Sequence, residues 1–150
     1  MGWTGTKTDW EIKPYVNGRY QGDWFNVGDY NRIAGNLRYL HIAGQNILSV
    51  SFAIPSINGQ SLNGFPHASD MNALEDALYA ITQNVYAPGG YTGKNTWSGN
   101  GATPTVDDLN RIEQACATIY AYFGGIADNA LFTSGGEPLV DSEGDTLRVR

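Results

Sequence analysis

The 150-residue chain is the length of one domain, long enough to bury a core without disulfides or metals and too short for a large multidomain enzyme. Aromatic residues make up 12% of it and charged residues only 16%, which excludes a solvated, disordered polymer and points to a folded protein with long loops and an aromatic surface. Nine Lys and Arg against 15 Asp and Glu leave a formal charge of −6, so nucleic acid is not an expected partner. The apolar runs are also shorter than the roughly 20 residues of a membrane span. The start, MGWTGTKTDW, has no apolar stretch of the secretory kind, so synthesis in the cytoplasm is the expectation. With a single cysteine, Cys116, no internal disulfide forms.

Along the chain, Trp10 to Trp24 mixes aromatics around Asn17-Gly18 and reads as a short hairpin or an irregular strap. It leads into the main organising feature, a motif that occurs three times: NVGDYNRIAGNLRYL at 26–40, HASDMNALEDALYAI at 67–81 and TVDDLNRIEQACATI at 105–119. Each copy carries Asp, an apolar residue and Asn: Asp29 and Asn31, Asp70 and Asn72, Asp108 and Asn110. The apolar positions fall in register as Tyr30, Ile33, Leu37, Leu40; Met71, Leu74, Leu78, Ile81; and Leu109, Ile112, Cys116, Ile119. That spacing is one face of an α-helix.

Three equivalent amphipathic helices are therefore predicted, starting near Val27, Ala68 and Val106 and packed through these faces. Asn26 and Thr105 precede the acids by three residues and suit a cap that the acid reciprocates. His67 is a poorer cap, so Ser69 is expected to serve in its place. Gly44, Pro88-Gly89-Gly90 and Gly124-Gly125 are the expected helix ends, which would put His41 in the last turn of the first helix, where the dipole favours it.

Between the helices, Ile47 to Ile57 alternates in part and ends at Asn58-Gly59, as a strand or extended arm with a tight turn would. Residues 89–104 hold five Gly and two aromatics without periodicity and read as a long loop with buried or binding aromatics. After the last helix, FTSGGEPL at 132–139 is followed directly by VDSEGDTL at 140–147. A repeat of this kind suits a small β meander. The fold class expected is mainly α (α+β): a three-helix-motif core over 1–130 with long Gly- and aromatic-rich loops, and a C-terminal β extension over 131–150.

Motifs for chemistry are sparse. The chain has no phosphate-binding loop, nucleophile elbow or paired Cys-x-x-Cys, and no cofactor or metal is expected. Glu75, Asp76 and Glu113 supply carboxylates, but nothing pairs them as a glycosidase requires. The same placement of Asp29, Asp70 and Asp108 at three helix starts makes them structural. Cys116, aligned with Leu37 and Leu78, is a small core residue. Trp97, inside its Gly/Asn loop, is the candidate for stacking on a sugar ring. Arg32 and Arg111 stand in register just inside their helices as candidates for bridging to acids on a neighbouring helix or subunit. Leu131, Leu139 and Leu147 would expose apolar surface on a lone meander and are candidate subunit contacts.

TDW near the start, FNVGDYNRIAGNLRYL, SDMNALEDAL with its following Tyr86, and TPTVDDLNRIEQACATIY together resemble small virion proteins of tailed bacteriophages of Gram-positive hosts. The middle copy departs from the phrase, with Ala73-Leu74 in place of Arg-Ile. The resemblance implies a non-enzymatic structural protein of the virion, assembled in the host cytoplasm: an oligomeric tail or baseplate adaptor, or a fibre-attachment component. Its partners would be other virion proteins and copies of itself. The alternative expectation is a receptor-binding module that holds a host-surface glycan by its aromatic loops.

Overall fold

The computed structural model describes residues 2–57, 67–99 and 104–129. Within them the fold is mainly α: a two-stranded antiparallel hairpin, β1 (Tyr15–Val16) and β2 (Arg19–Tyr20), followed by α1 (Val27–Leu48), α2 (Ala68–Asn84) and α3 (Val106–Asn129). The three helix starts coincide with those expected from the repeat. The C-terminal repeat, with Leu131, Leu139 and Leu147, and the Asn58-Gly59 turn lie outside the described residues.

Each helix begins with an acid that accepts from the backbone N–H of its cap, and at α1 and α3 the cap side chain returns the bond. Asn26 caps α1 by accepting from the Asp29 N–H at 3.1 Å, while Asp29 Oδ2 accepts from the Asn26 N–H at 3.1 Å. Thr105 and Asp108 do the same at α3, with Thr105 N–H to Asp108 Oδ2 at 2.8 Å. At α2 the N-cap is His67, not Ser69, and Asp70 Oδ2 accepts from the His67 N–H at 2.8 Å. The three acids thus occupy the third helical position, where they satisfy an otherwise orphaned amide and complement the dipole.

All twelve aligned apolar residues are buried, from Tyr30 through Leu78 to Ile119. They form one core that Trp10, Ile57 and Phe123 extend. Cys116 lies inside it, and burial pushes its thiol well above the ordinary range.

Two helix ends differ from expectation. Helix α1 runs through Gly44 to Leu48 and closes at Ser49 in the left-handed conformation. Gly44 is an approach site instead: a Cβ there would stand 2.8 Å from Val85 Cγ2 and 3.4 Å from the Phe123 ring. Helix α3 likewise continues through Gly124-Gly125. His41 is therefore inside α1, and its Nε2 pairs with the Phe52 carbonyl at 2.7 Å while its ring meets Phe52 edge-on.

The segment after α1 is the expected extended arm, not a strand. Its outward carbonyls and amides are met by side chains of α1: Arg38 donates to the Ile57 carbonyl, and Gln45 Oε1 accepts from the Phe52 N–H at 3.1 Å. Helical donors and acceptors replace a β partner, so Phe52, Ile54 and Ile57 reach the core without a sheet, while Val50 is exposed.

Candidate functional site

The repeat positions that sequence singles out converge on the junctions between helices and the extended straps that precede them. In α3, Asn110 grips the backbone of Trp10 with both ends of its carboxamide: Oδ1 accepts from the Trp10 N–H at 2.8 Å and Nδ2 donates to the Trp10 carbonyl at 2.9 Å. In α2, Asn72 holds Trp97 in the same way, at 2.7 and 2.9 Å. A carboxamide is the side chain that can serve an N–H and a C=O of one residue together, which accounts for Asn at this place. Asn31 stands at the matching position of α1 and is half-buried.

The arginines bridge helices within the chain. Arg32 of α1 reaches Glu113 of α3 through Nε and Nη2, at 3.2 and 2.7 Å, and Asp29 through Nη1 at 2.7 Å. Arg111 of α3 reaches both oxygens of Glu75 in α2 and the Gly93 carbonyl. Burial by itself disfavours each charged guanidinium. The facing carboxylates outweigh it, so both arginines are held above their ordinary pKa. Glu113 also accepts from the Lys7 N–H at 2.9 Å and from the Trp10 indole.

Both buried carboxylates are thus paired on the inside of the fold, Glu113 with four donors and Glu75 with the Arg111 fork. Asp76, exposed, pairs with Lys94 at 2.8 Å, so Glu75, Asp76 and Glu113 are not a facing pair about a cleft. Among the described residues no group of His, Cys, Asp and Glu is placed to hold a metal ion, and no helix is long and apolar enough to cross a membrane.

Direct comparison of the straps reveals a repeat that the helix motif hides. Trp3-Thr4-Gly5 corresponds to Tyr91-Thr92-Gly93, with Gly5 and Gly93 both at positive φ, and Lys7 and Lys94 each precede a gripped tryptophan by three residues. One extra residue, Thr6, separates the halves in the first copy, so an alignment without gaps misses it. Trp97 is accordingly a strap anchor, half-buried against the core with its indole nitrogen enclosed.

Two surfaces stand out. The hairpin carries Ile12, Tyr15 and Trp24 at 72%, 67% and 67% exposure. Its rings make a ladder, Tyr15 to Tyr20 at 5.4 Å and Tyr20 to Trp24 at 5.0 Å. On another side, a groove of about 430 Å³ opens between the Pro88–Thr92 strap and α3, floored by Arg111, Ala115 and Thr118. Comparisons with protein-family models, curated proteins and solved structures return no match.

Proposed function

We propose that this chain is a non-catalytic structural protein of a phage virion, an oligomeric adaptor of the tail or baseplate or a component that attaches its fibres. The observation that carries the reading is the hairpin: two strands of two residues hold up a ladder of large, solvent-facing apolar side chains. A sheet this small does not stabilise itself, and a lone chain gains nothing from exposing such residues. An aromatic surface flanked by polar loops is the anatomy of a protein interface. The buried Arg–Glu pairs support the same reading, because the charges available for acid–base work are spent on holding helices together.

The test is the assembly state of the pure protein, by light scattering with electron microscopy of phage particles carrying a labelled copy. Expected are self-association weakened by Trp24→Ala with Tyr15→Ala, an unchanged melt for that variant, and label on the particle. A strictly monomeric protein absent from particles overturns the proposal, as does turnover of polysaccharide or peptidoglycan by the pure chain.

A further inference from the structure

The two related straps are tied to the helices with unequal strength. In the first, each matched position meets a helix. The Asn36 carboxamide of α1 accepts from the Thr4 N–H at 3.0 Å and from the Thr4 hydroxyl at 3.1 Å, and donates to the Gly5 carbonyl at 2.6 Å. Trp3 stacks on Tyr120 of α3 with ring centroids 4.2 Å apart. Glu113 accepts from the Lys7 N–H and the Trp10 indole of the strap, and from Arg32 of α1. One buried carboxylate therefore joins this strap to the ion pair between two helices. Lifting the strap would take two donors from Glu113 and disturb the α1–α3 junction with it.

The second strap keeps only part of this attachment. Asn72 grips Trp97, and Arg111 donates to the Gly93 carbonyl at 3.0 Å. Tyr91 and Thr92, the counterparts of Trp3 and Thr4, have neither a ring partner nor a hydrogen bond to a helix among the described residues. Glu75, which stands to Asn72 as Glu113 stands to Asn110, is held by the Arg111 fork and takes nothing from the strap. The Trp97 indole nitrogen and the Tyr91 hydroxyl are enclosed with no hydrogen-bond partner among the described residues. The other ties are on the surface, Lys94 to Asp76 at 2.8 Å and Asn95 to Asp108 at 2.7 Å, where such pairs carry little weight.

We propose that residues 91–97 form a latch that opens as a unit while the three helices stay packed. The Arg111–Glu75 fork ties α3 to α2 directly, so it survives when the strap leaves; the first strap has no such independence from Glu113. Burial of the Tyr91 and Trp97 rings against the core holds the latch closed. Against it, opening hydrates the Trp97 indole and the Tyr91 hydroxyl and returns to them the hydrogen bonds that the closed form withholds. The hinges lie at both ends. A Cβ on Gly89, Gly90 or Gly99 would meet nothing within 4 Å, and none of the three is at positive φ. The closed form therefore does not require glycine at these places, and what glycine supplies there is backbone freedom. Segments tied by few buried contacts are those that open below the global unfolding free energy. The open form presents the rings of Tyr91 and Trp97, a conditional apolar surface beside the permanent one on the hairpin. The latch stands whether or not the virion role is correct.

Amide hydrogen exchange on the full-length protein tests the latch, because two equivalent amides report on the two straps. The Trp97 N–H donates to Asn72 at 2.7 Å and the Trp10 N–H to Asn110 at 2.8 Å. After correction for intrinsic rates, exchange at Trp97 is expected to be at least about tenfold faster than at Trp10 or at Leu78 in the core of α2. It should also be insensitive to low urea, which speeds only those openings that expose much surface. Tyr91→Phe removes one of the enclosed groups and should slow exchange at Trp97 by about fivefold. Asn110→Ala weakens the fold at the first strap, so it should speed exchange at Leu78 and leave Trp97 unchanged. Three results overturn the proposal: exchange at Trp97 as slow as at Leu78, exchange at Trp97 that rises with Leu78 in low urea or in Asn110→Ala, or exchange at Trp97 that is unchanged in Tyr91→Phe.

Discussion

Asn72 and Asn110 show how much one side-chain amide can fix. Each satisfies both backbone groups of a tryptophan that has no strand or helix partner. Losing the carboxamide leaves an N–H and a C=O in a half-dry setting, at about 1–3 kcal/mol for each group that water cannot reach. Asn110→Ala is expected to cost more than Asn72→Ala, because Trp10 is buried and Trp97 only half so; urea melts of the two variants check the order. Tyr91 offers a different test. Burial, helped by the Glu75 charge, pushes its hydroxyl up to about 12 from an ordinary 10.0. A pKa raised in the folded state means that the unfolded chain releases this proton first. The contribution is intact below about pH 10 and is lost as pH rises to about 12. Its hydroxyl is enclosed with no hydrogen-bond partner among the described residues, so Tyr91→Phe should raise neutral-pH stability by about 1 kcal/mol and flatten its decline above pH 10, read from denaturation midpoints across that window.

The helices are uniform in how they begin and individual in how they continue. A carboxylate of Asp accepting from the cap N–H starts all three, but α1 passes through Gly44, where Val85 and Phe123 press against its backbone. Alanine would gain about 1 kcal/mol in helix propensity and lose about 1–3 kcal/mol to overpacking, so the packing term decides. Gly44→Ala is expected to destabilise the fold by up to about 2 kcal/mol. Adding Val85→Ala should recover part of that loss, since it removes the methyl that a Cβ would strike. Thermal melts of the single and double variants measure the recovery, and additive losses would show that the contact is not the cause.

Among the described residues the ion pairs between helices run in one direction, from α1 to α3 through Arg32–Glu113 and from α3 to α2 through Arg111–Glu75. The register positions that would close the cycle from α2 to α1 are Ala73 and Ala34, both packed in or against the core. The chain thus contains its own comparison between a charged and an apolar junction. Removing one partner of a buried pair strands the other, so Arg111→Ala or Glu75→Ala alone should cost about 3–5 kcal/mol. The double variant, which reproduces the alanine junction, should cost clearly less than the two losses combined. A double-mutant cycle by chemical denaturation gives the coupling, and simple additivity would refute the pairing.

The sequence by itself determined the helices and their buried faces, because apolar residues spaced by the helical period can be hidden in only one way and the Asp-to-cap relation is local. It also marked Asp29, Asp70 and Asp108 as structural, and left Asn17-Gly18 between a hairpin turn and a strap, of which the structure has the turn, with φ of 51° and 75°. Only the tertiary structure decided the rest. Glu75 and Glu113 look like any helical acids until a neighbouring helix brings an arginine to them. Gly44 reads as a helix end until Val85 and Phe123 fill the space that ends usually leave open. The strap repeat is blurred by Thr6, one residue that the second copy lacks. These features depend on contacts between residues far apart in the chain, and local spacing does not encode which of them meet.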